Sequence, residues 1–139
     1  MTLKAGVRVL ALGIGALCLA LAQCTALSAI DPQTYLKNIV VSDVDLSSVP
    51  DNTYEGQYTI AVPPGQYAAN RHFDVLVQVK SGAYSAITIK DPAGLDSDAG
   101  FVAFKGRICA ANSLLVDGVS GASYSSKAML KAVEAAVTR

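Results

Sequence analysis

The sequence predicts an α+β domain, built as an antiparallel β meander with a short helix and a C-terminal amphipathic helix. Two segments rich in β-branched residues flank a short Gly-containing turn, which is a hairpin pattern. An Ala-rich amphipathic segment lies near the end of the chain. Strands that come before the helices, rather than alternating with them, are typical of the α+β class, and 139 residues suffice for one domain.

An apolar segment at residues 10–29 contains no charged residue and follows Lys4 and Arg8. This arrangement predicts export, with the domain on the extracytoplasmic side of the membrane. About twenty apolar residues also span a bilayer, so the segment is either a cleaved signal peptide or a retained anchor. Cys24 adds a third alternative, a lipoprotein, although Gln23 differs from the small residue that normally precedes the lipidated cysteine.

Residues 1–29 are therefore assigned to a signal peptide or membrane anchor, residues 30–50 to a linker rich in Pro, Asp and Ser, and residues 51–139 to the working domain. Residues 30–139 contain 9 basic and 11 acidic side chains, a net charge of −2. No nucleic-acid partner is expected, because the basic excess that drives phosphate-backbone binding is missing.

The first strand is predicted at residues 53–62, which are rich in Tyr, Thr, Ile and Val and precede a Pro-Pro-Gly sequence. In residues 73–80 every second residue is apolar and, apart from Leu76, the residues between are polar, the pattern of a strand with one better-buried face. Ser81 and Gly82 are predicted to form a tight turn, after which residues 84–90 return as the partner strand.

Two helices are predicted after the strands. Apolar residues at positions 101, 104, 108 and 111 have helical spacing, which indicates a short helix at 101–111 after a flexible acidic loop at 96–100. Residues 125–137 are Ala-rich and place their charged side chains on one face, which predicts an amphipathic helix.

Few residues suit catalysis or metal binding. His72 is the only histidine, so a His-rich metal site is excluded, and we interpret His72 as a half-exposed structural residue. Cys109 is the only cysteine after residue 29, which excludes an intradomain disulfide, and we interpret it as a small buried apolar residue. Asp96 and Asp98 form a D-x-D sequence that we interpret as solvated loop charge rather than a cation site.

Residues 117–127, DGVSGASYSSK, directly precede the C-terminal helix. Their glycines and serines bring backbone N–H groups and hydroxyls to the positive end of a helix dipole, where phosphate binds readily. The residue pattern leaves an alternative open, in which Ser123, Ser125 or Ser126 only caps the helix.

DGVSGAS followed by YSSKAMLKAVEAA resembles the flavinylation motif of the FMN-binding domain family, in which Asp-x-x-Ser/Thr-Gly-Ala-Thr/Ser precedes a C-terminal helix. The DNTYEG sequence at 51–56 is similar to that family's D-G-T-Y-E-G strand, and DVLVQVKSGAYSAITI occupies the place of its hairpin. The resemblance covers residues 51–137. The family includes the FMN-carrying subunits of Na+-translocating NADH:quinone reductase and Rnf complexes, and small exported flavoproteins.

The resemblance implies FMN joined through a phosphoester bond to the hydroxyl of Ser123, where the family more often has Thr. A flavin transferase that uses FAD and Mg2+ would attach it and would read Asp117. The implied cofactor-binding residues all lie in the motif or the first turn of the helix: Asp117, Ser120, Gly121, Ala122, Ser123, Ser125 and Ser126. Ser120 and Gly121 would shape the turn, and Ala122 with Gly121 would leave the hydroxyl uncrowded. Ser125 and Ser126 would face the phosphate.

The function implied is a membrane-associated, extracytoplasmic flavin electron carrier without a substrate pocket of its own. Its redox partners would be a membrane quinone or a reductase complex and an extracytoplasmic acceptor protein, while the redox chemistry belongs to the flavin. The alternative is a small extracytoplasmic binding or structural module that holds FMN noncovalently or holds no flavin. An enzyme with its own substrate is less favoured, because the chain has one histidine and no second domain.

Overall fold

A computed structural model describes residues 37–60, 72–90 and 94–139. Within these ranges three strands form an antiparallel sheet in the order β1-β2-β3, and two α-helices follow. The elements are β1 (Asn52–Thr59), β2 (His72–Lys80), β3 (Ala83–Ile89), α1 (Ala99–Ala111) and α2 (Ser123–Val137). The α+β meander with a C-terminal helix is therefore confirmed.

The strand predicted at 53–62 is shorter than expected and ends at Thr59. The last described pair of the β1–β2 ladder is Thr59 with His72, and Ile60 no longer belongs to the strand. The Pro-Pro-Gly sequence that was expected to close the strand lies outside the described residues.

The β2–β3 hairpin follows the predicted pattern. Alternate residues of β2 from Phe73 to Val79 are buried, and Ser81 and Gly82 make the turn with φ values of 53° and 72°, as a two-residue primed turn requires. The register shifts opposite Gln78 and Val79, so that Ser85 is left out of the pairing. This bulge lets β3 bury both Tyr84 and Ile87, which strict alternation would place on opposite faces.

Helix α2 packs on the sheet where β1 has no side chain. A Cβ at Gly56 would overlap the carbonyl oxygen of Ala132 and would lie 2.7 Å from the Cβ of Ala136. The helix presents small and medium apolar residues here, with Met129 and Val133 fully buried. This close approach brings the Ala-rich face of α2 into the core.

Residues 37–50, assigned to a linker from sequence, instead pack onto the domain. Ile39 and Leu46 are 4% and 2% exposed and belong to the hydrophobic core. The backbone N–H of Ser42 donates to Glu134 of α2 at 3.0 Å. The Asp- and Ser-rich composition concealed these contacts, because the few aliphatic residues that enter the core are widely spaced.

The segment at 96–100, predicted to be a flexible acidic loop, is held in place by hydrogen bonds to its two aspartate side chains. Asp98 caps α1 by accepting hydrogen bonds from the backbone N–H groups of Gly100 and Phe101, so the helix starts two residues before the predicted position. Asp96 accepts from the backbone N–H of Ile89 at 2.7 Å and pairs with Lys105. Both aspartates remain partly or fully exposed, but they also order the backbone, a role that the interpretation as solvated loop charge did not include.

The histidine and the one cysteine in the described part of the chain, His72 and Cys109, both have structural neighbours rather than catalytic ones. The side chain of His72 is 52% exposed and lies 2.6 Å from the hydroxyl of Thr59 and 2.9 Å from a carboxylate oxygen of Asp74. Cys109 is only partly buried, and this burial raises the pKa of its thiol, which keeps it protonated at neutral pH.

The described residues contain no helix that is both long and apolar enough to cross a bilayer. The apolar segment at 10–29, on which the prediction of a signal peptide or anchor rests, lies outside them.

We expect Gly56→Ala to lower the free energy of unfolding by about 3 kcal/mol, because the added methyl group meets the backbone of α2. Gly106→Ala is the matched control, since Gly106 lies in α1 and a Cβ there would meet no atom within 4 Å apart from its chain neighbours and the helix backbone. That substitution should raise stability by up to about 1 kcal/mol through helix propensity. Urea denaturation measures the free energy of unfolding of both variants. If Gly56→Ala were as stable as the wild type, the close packing of α2 against Gly56 would be contradicted.

Candidate functional site

A groove of about 790 Å³ opens beside the N-terminus of α2, within the range of small-molecule sites. Residues 37–41 form one wall, and residues 114–120 with the start of α2 form the other. The residues that line it are Lys37, Ile39, Val40, Val41, Leu114, Leu115, Val116, Asp117, Gly118, Val119, Ser120, Ser123, Ser126, Lys127 and Leu130. The groove thus brings the predicted motif together with a segment from the other end of the domain.

Four of the seven predicted residues line the groove: Asp117, Ser120, Ser123 and Ser126. Gly121 and Ala122 form the turn that leads into α2. Gly121 has a φ of +77°, and the N–H of Ala122 donates to the carbonyl of Val119 at 3.0 Å. Ser125 is half-buried in the first turn of α2 and is not among the lining residues.

Ser123 is the first residue of α2 and is exposed, although the helix was predicted to start at residue 125. The N-cap position is occupied by Ala122, whose side chain accepts no hydrogen bond. None of the motif serines therefore stands at the N-cap, which removes the structural basis for the capping alternative. The Ser123 hydroxyl instead lies at the positive end of the helix dipole. The backbone N–H groups beside it receive no hydrogen bond acceptor from the N-cap side chain.

Ser126 differs from Ser123 because it is 1% exposed. Its hydroxyl accepts from the backbone N–H of Val119 at 2.8 Å and donates to the carbonyl of Ala122 at 2.9 Å. A Cβ at Gly118 would lie 3.0 Å from the Cβ of Ser126, so glycine permits this close approach. Ser126 thus holds the loop in place, a role that sequence reasoning missed, and contact between Ser126 and a phosphate stays a prediction.

Asp117 presents an exposed side chain, while its backbone is held from α1. The Nη2 atom of Arg107 donates to the carbonyl of Asp117 at 2.9 Å and lies 3.5 Å from the carbonyl of Gly118. The carboxylate is therefore accessible to a partner protein although the backbone that carries it is anchored.

The two walls of the groove are joined through Asp43. One of its carboxylate oxygens accepts from the backbone N–H of Leu114 at 2.9 Å, and the other accepts from the hydroxyl of Ser113 at 2.8 Å. Partial burial acts to raise the pKa of Asp43, but the hydrogen bonds that it accepts outweigh burial and lower it. The charged form of Asp43 thus favours the assembled groove.

The groove is apolar at its rim and along part of its walls. Val40 and Leu115 are 65% and 70% exposed, whereas Ile39, Leu114 and Leu130 are buried beside them. An apolar surface next to hydroxyls and a helix N-terminus suits a group with a flat ring and a phosphate. Sequence reasoning missed the 37–41 wall, for which the only signal is an Ile-Val-Val run in a polar segment.

A protein-family model for the FMN-binding domain matches residues 65–138, just over half of the chain. The match includes β2, β3, both helices and all the predicted motif residues. Searches of curated proteins and of solved structures found no match. The residues that line the groove fit FMN in character, with hydroxyl groups at one end and aliphatic side chains along the walls.

We expect Asp43→Ala to lower the free energy of unfolding by about 1 to 3 kcal/mol, because the N–H of Leu114 loses its acceptor. Asp43→Asn keeps a carbonyl acceptor and should lose less. Because the pKa of Asp43 is lowered in the folded protein, its charge stabilises the fold above the ordinary aspartate pKa of about 3.9, and this stabilisation disappears as pH falls through the folded value.

Urea denaturation of the wild type and the Asp43→Asn variant between pH 2 and 7 measures this contribution. The difference in stability between the two proteins should be largest near neutral pH and should shrink toward zero in acid. A difference that does not change with pH would show that the charge of Asp43 does not support the groove.

Proposed function

Because this chain belongs to the FMN-binding domain family and is a flavin-binding protein, we propose that it carries FMN covalently on Ser123. The observation that supports this most directly is the position of the Ser123 hydroxyl, exposed in the groove at the first residue of α2. The motif resemblance selects the same residue independently of the geometry.

The attachment reaction is a transfer of FMN from FAD by a flavin transferase with Mg2+. The Ser123 oxygen bonds to the phosphorus of the FMN half, the pyrophosphate bond of FAD breaks, and AMP leaves with the bridging oxygen. The hydroxyl proton is released, and no oxidation or reduction occurs in this step. The chain's own part is to present an uncrowded hydroxyl and the exposed Asp117 carboxylate to the transferase.

The groove offers each part of FMN a suitable surface. The N-terminus of α2 favours the phosphate electrostatically, because the helix dipole is positive at that end and the N-cap residue Ala122 offers no side-chain acceptor there. Val40 and Leu115 offer exposed aliphatic surface, and covering it with an isoalloxazine ring would be favourable. When bound, the flavin supplies one- and two-electron redox chemistry, and the protein holds it and limits its contact with water.

An electron carrier fits these residues better than an enzyme with its own substrate. Among the described residues that line the groove, only Lys37, Asp117 and Lys127 have ionisable side chains. None of them is a histidine or cysteine that would serve as an acid–base or nucleophilic group near neutral pH. We propose that electrons come from a membrane quinone or a reductase complex and leave to an extracytoplasmic protein.

We propose further that the domain is membrane-associated and lies outside the cytoplasm, on the basis of the apolar segment that follows Lys4 and Arg8. Covalent attachment suits that location, since a cofactor that dissociates there is diluted away. Alkaline phosphatase fused after Arg139 should be active in cells. An inactive fusion, together with an active cytoplasmic reporter at the same position, would contradict the proposed location.

Ser123→Ala should abolish covalent flavin, Ser123→Thr should retain it, and Ser125→Ala should retain it, because the transfer needs one accessible hydroxyl at residue 123. Each protein is co-expressed with an active flavin transferase, denatured, and analysed by intact-mass and tryptic-peptide spectrometry. The tryptic peptide 108–127 of the wild type should gain the mass of FMN less one water, with fragmentation placing it on Ser123.

In the same experiment Asp117→Ala should fold as the wild type does but remain unmodified, because its side chain is exposed and only its carbonyl is bonded by Arg107. Circular dichroism checks the fold. Covalent flavin on Ser123→Ala would contradict the acceptor assignment. Flavin released from the wild type by denaturation would contradict covalent attachment and support noncovalent FMN.

A further inference from the structure

The loop at residues 117–122, which we call the acceptor loop, is held by a side chain of α1. Arg107 donates to the carbonyl of Asp117 at 2.9 Å, and its guanidinium lies 5.6 Å from the centre of the Phe104 ring. Phe104 is completely buried, so the ring over which the guanidinium lies is fixed by the core. Arg107 therefore links the acceptor loop to the buried face of α1.

The other side of the acceptor loop is held by α2. The Ser126 hydroxyl bonds the N–H of Val119 and the carbonyl of Ala122. Successive peptide groups are thus held by different helices, the carbonyl of residue 117 by α1 and the N–H of residue 119 by α2. A Cβ at Gly100 of α1 would lie 3.0 Å from Val119, so the loop also approaches the first turn of α1 closely.

Open space lies on both sides of the acceptor loop. The groove borders one side, and a depression of about 510 Å³ borders the other, lined by Gly100, Ala103, Arg107 and residues 117–120. Val119 and Ala122 pack against the core, whereas Asp117, Gly118 and Ser120 are exposed, so hydrogen bonds are the main restraint on residues 117 and 118. Removing Arg107 would free residues 117 and 118 to move toward the depression.

We propose that Arg107 is a positioning residue, which fixes the acceptor loop and thereby the location of the flavin that Ser123 carries. This inference rests on the proposed function. Arginine suits the role, because a planar guanidinium can donate to backbone carbonyls while it lies over an aromatic ring. Lysine has a single ammonium group and can reproduce only part of this arrangement.

The first test uses the protein without flavin and measures amide hydrogen exchange by NMR. In Arg107→Ala the Val119 amide should exchange about tenfold faster, relative to the buried amides of β2, because one restraint on the loop is lost. Arg107→Lys should show a smaller increase. Arg139→Ala, which removes an exposed positive charge elsewhere, should leave the exchange rate of the Val119 amide relative to the β2 amides unchanged. If the relative exchange rate of the Val119 amide were also unchanged in Arg107→Ala, the proposal would be overturned.

The second test uses the flavinylated protein. Arg107→Ala should retain one flavin per chain but show a lower flavin fluorescence anisotropy than the wild type, and Arg107→Lys should restore part of it. If the flavin anisotropy of Arg107→Ala equalled that of the wild type, the role of Arg107 in positioning the flavin would be overturned. If the wild type takes up no covalent flavin, the proposed function fails, and the role of Arg107 in positioning the flavin fails with it. The exchange measurement still decides separately whether Arg107 fixes the loop.

Discussion

The close approach of α2 to β1 at Gly56 is the constraint on which the rest of the domain depends. With no side chain at this position, the backbone of the strand can face the carbonyl of Ala132 and the Cβ of Ala136 directly. The small residues of α2 make the same contact possible from the helix side. The position of α2 in turn determines where its N-terminus lies, and the Ser123 hydroxyl is at that N-terminus.

Ser123 and Ser126 show how position, rather than residue type, assigns a role. Both are serines of the first turn of α2, yet Ser123 is exposed and Ser126 is buried. The difference arises because the loop before the helix folds back over Ser126, where Gly118 leaves room and the N–H of Val119 needs an acceptor. One hydroxyl thus completes the loop's hydrogen bonds, and the other remains available for chemistry.

The aspartates of the domain act mainly as acceptors for backbone N–H groups. Asp98 caps α1, Asp45 caps the short 3-10 helix Leu46–Ser48, and Asp43 accepts from Leu114 across the groove. A nearly neutral domain with few charges therefore uses several carboxylates to order its loops. Composition alone suggested flexible, solvated segments at 30–50 and 96–100, because it does not show which N–H groups lie nearby.

The sequence by itself determined the β2–β3 hairpin, the two helices and the Gly- and Ser-rich motif that precedes the second helix, because each depends on residues that are close together in the chain. It did not determine the bulge at Ser85, which depends on the register between β2 and β3. Only the tertiary structure decided the groove. Its two walls are joined by a hydrogen bond from the backbone N–H of Leu114 to the carboxylate of Asp43, 71 positions earlier in the chain. Such a bond leaves no periodic signal in a single sequence.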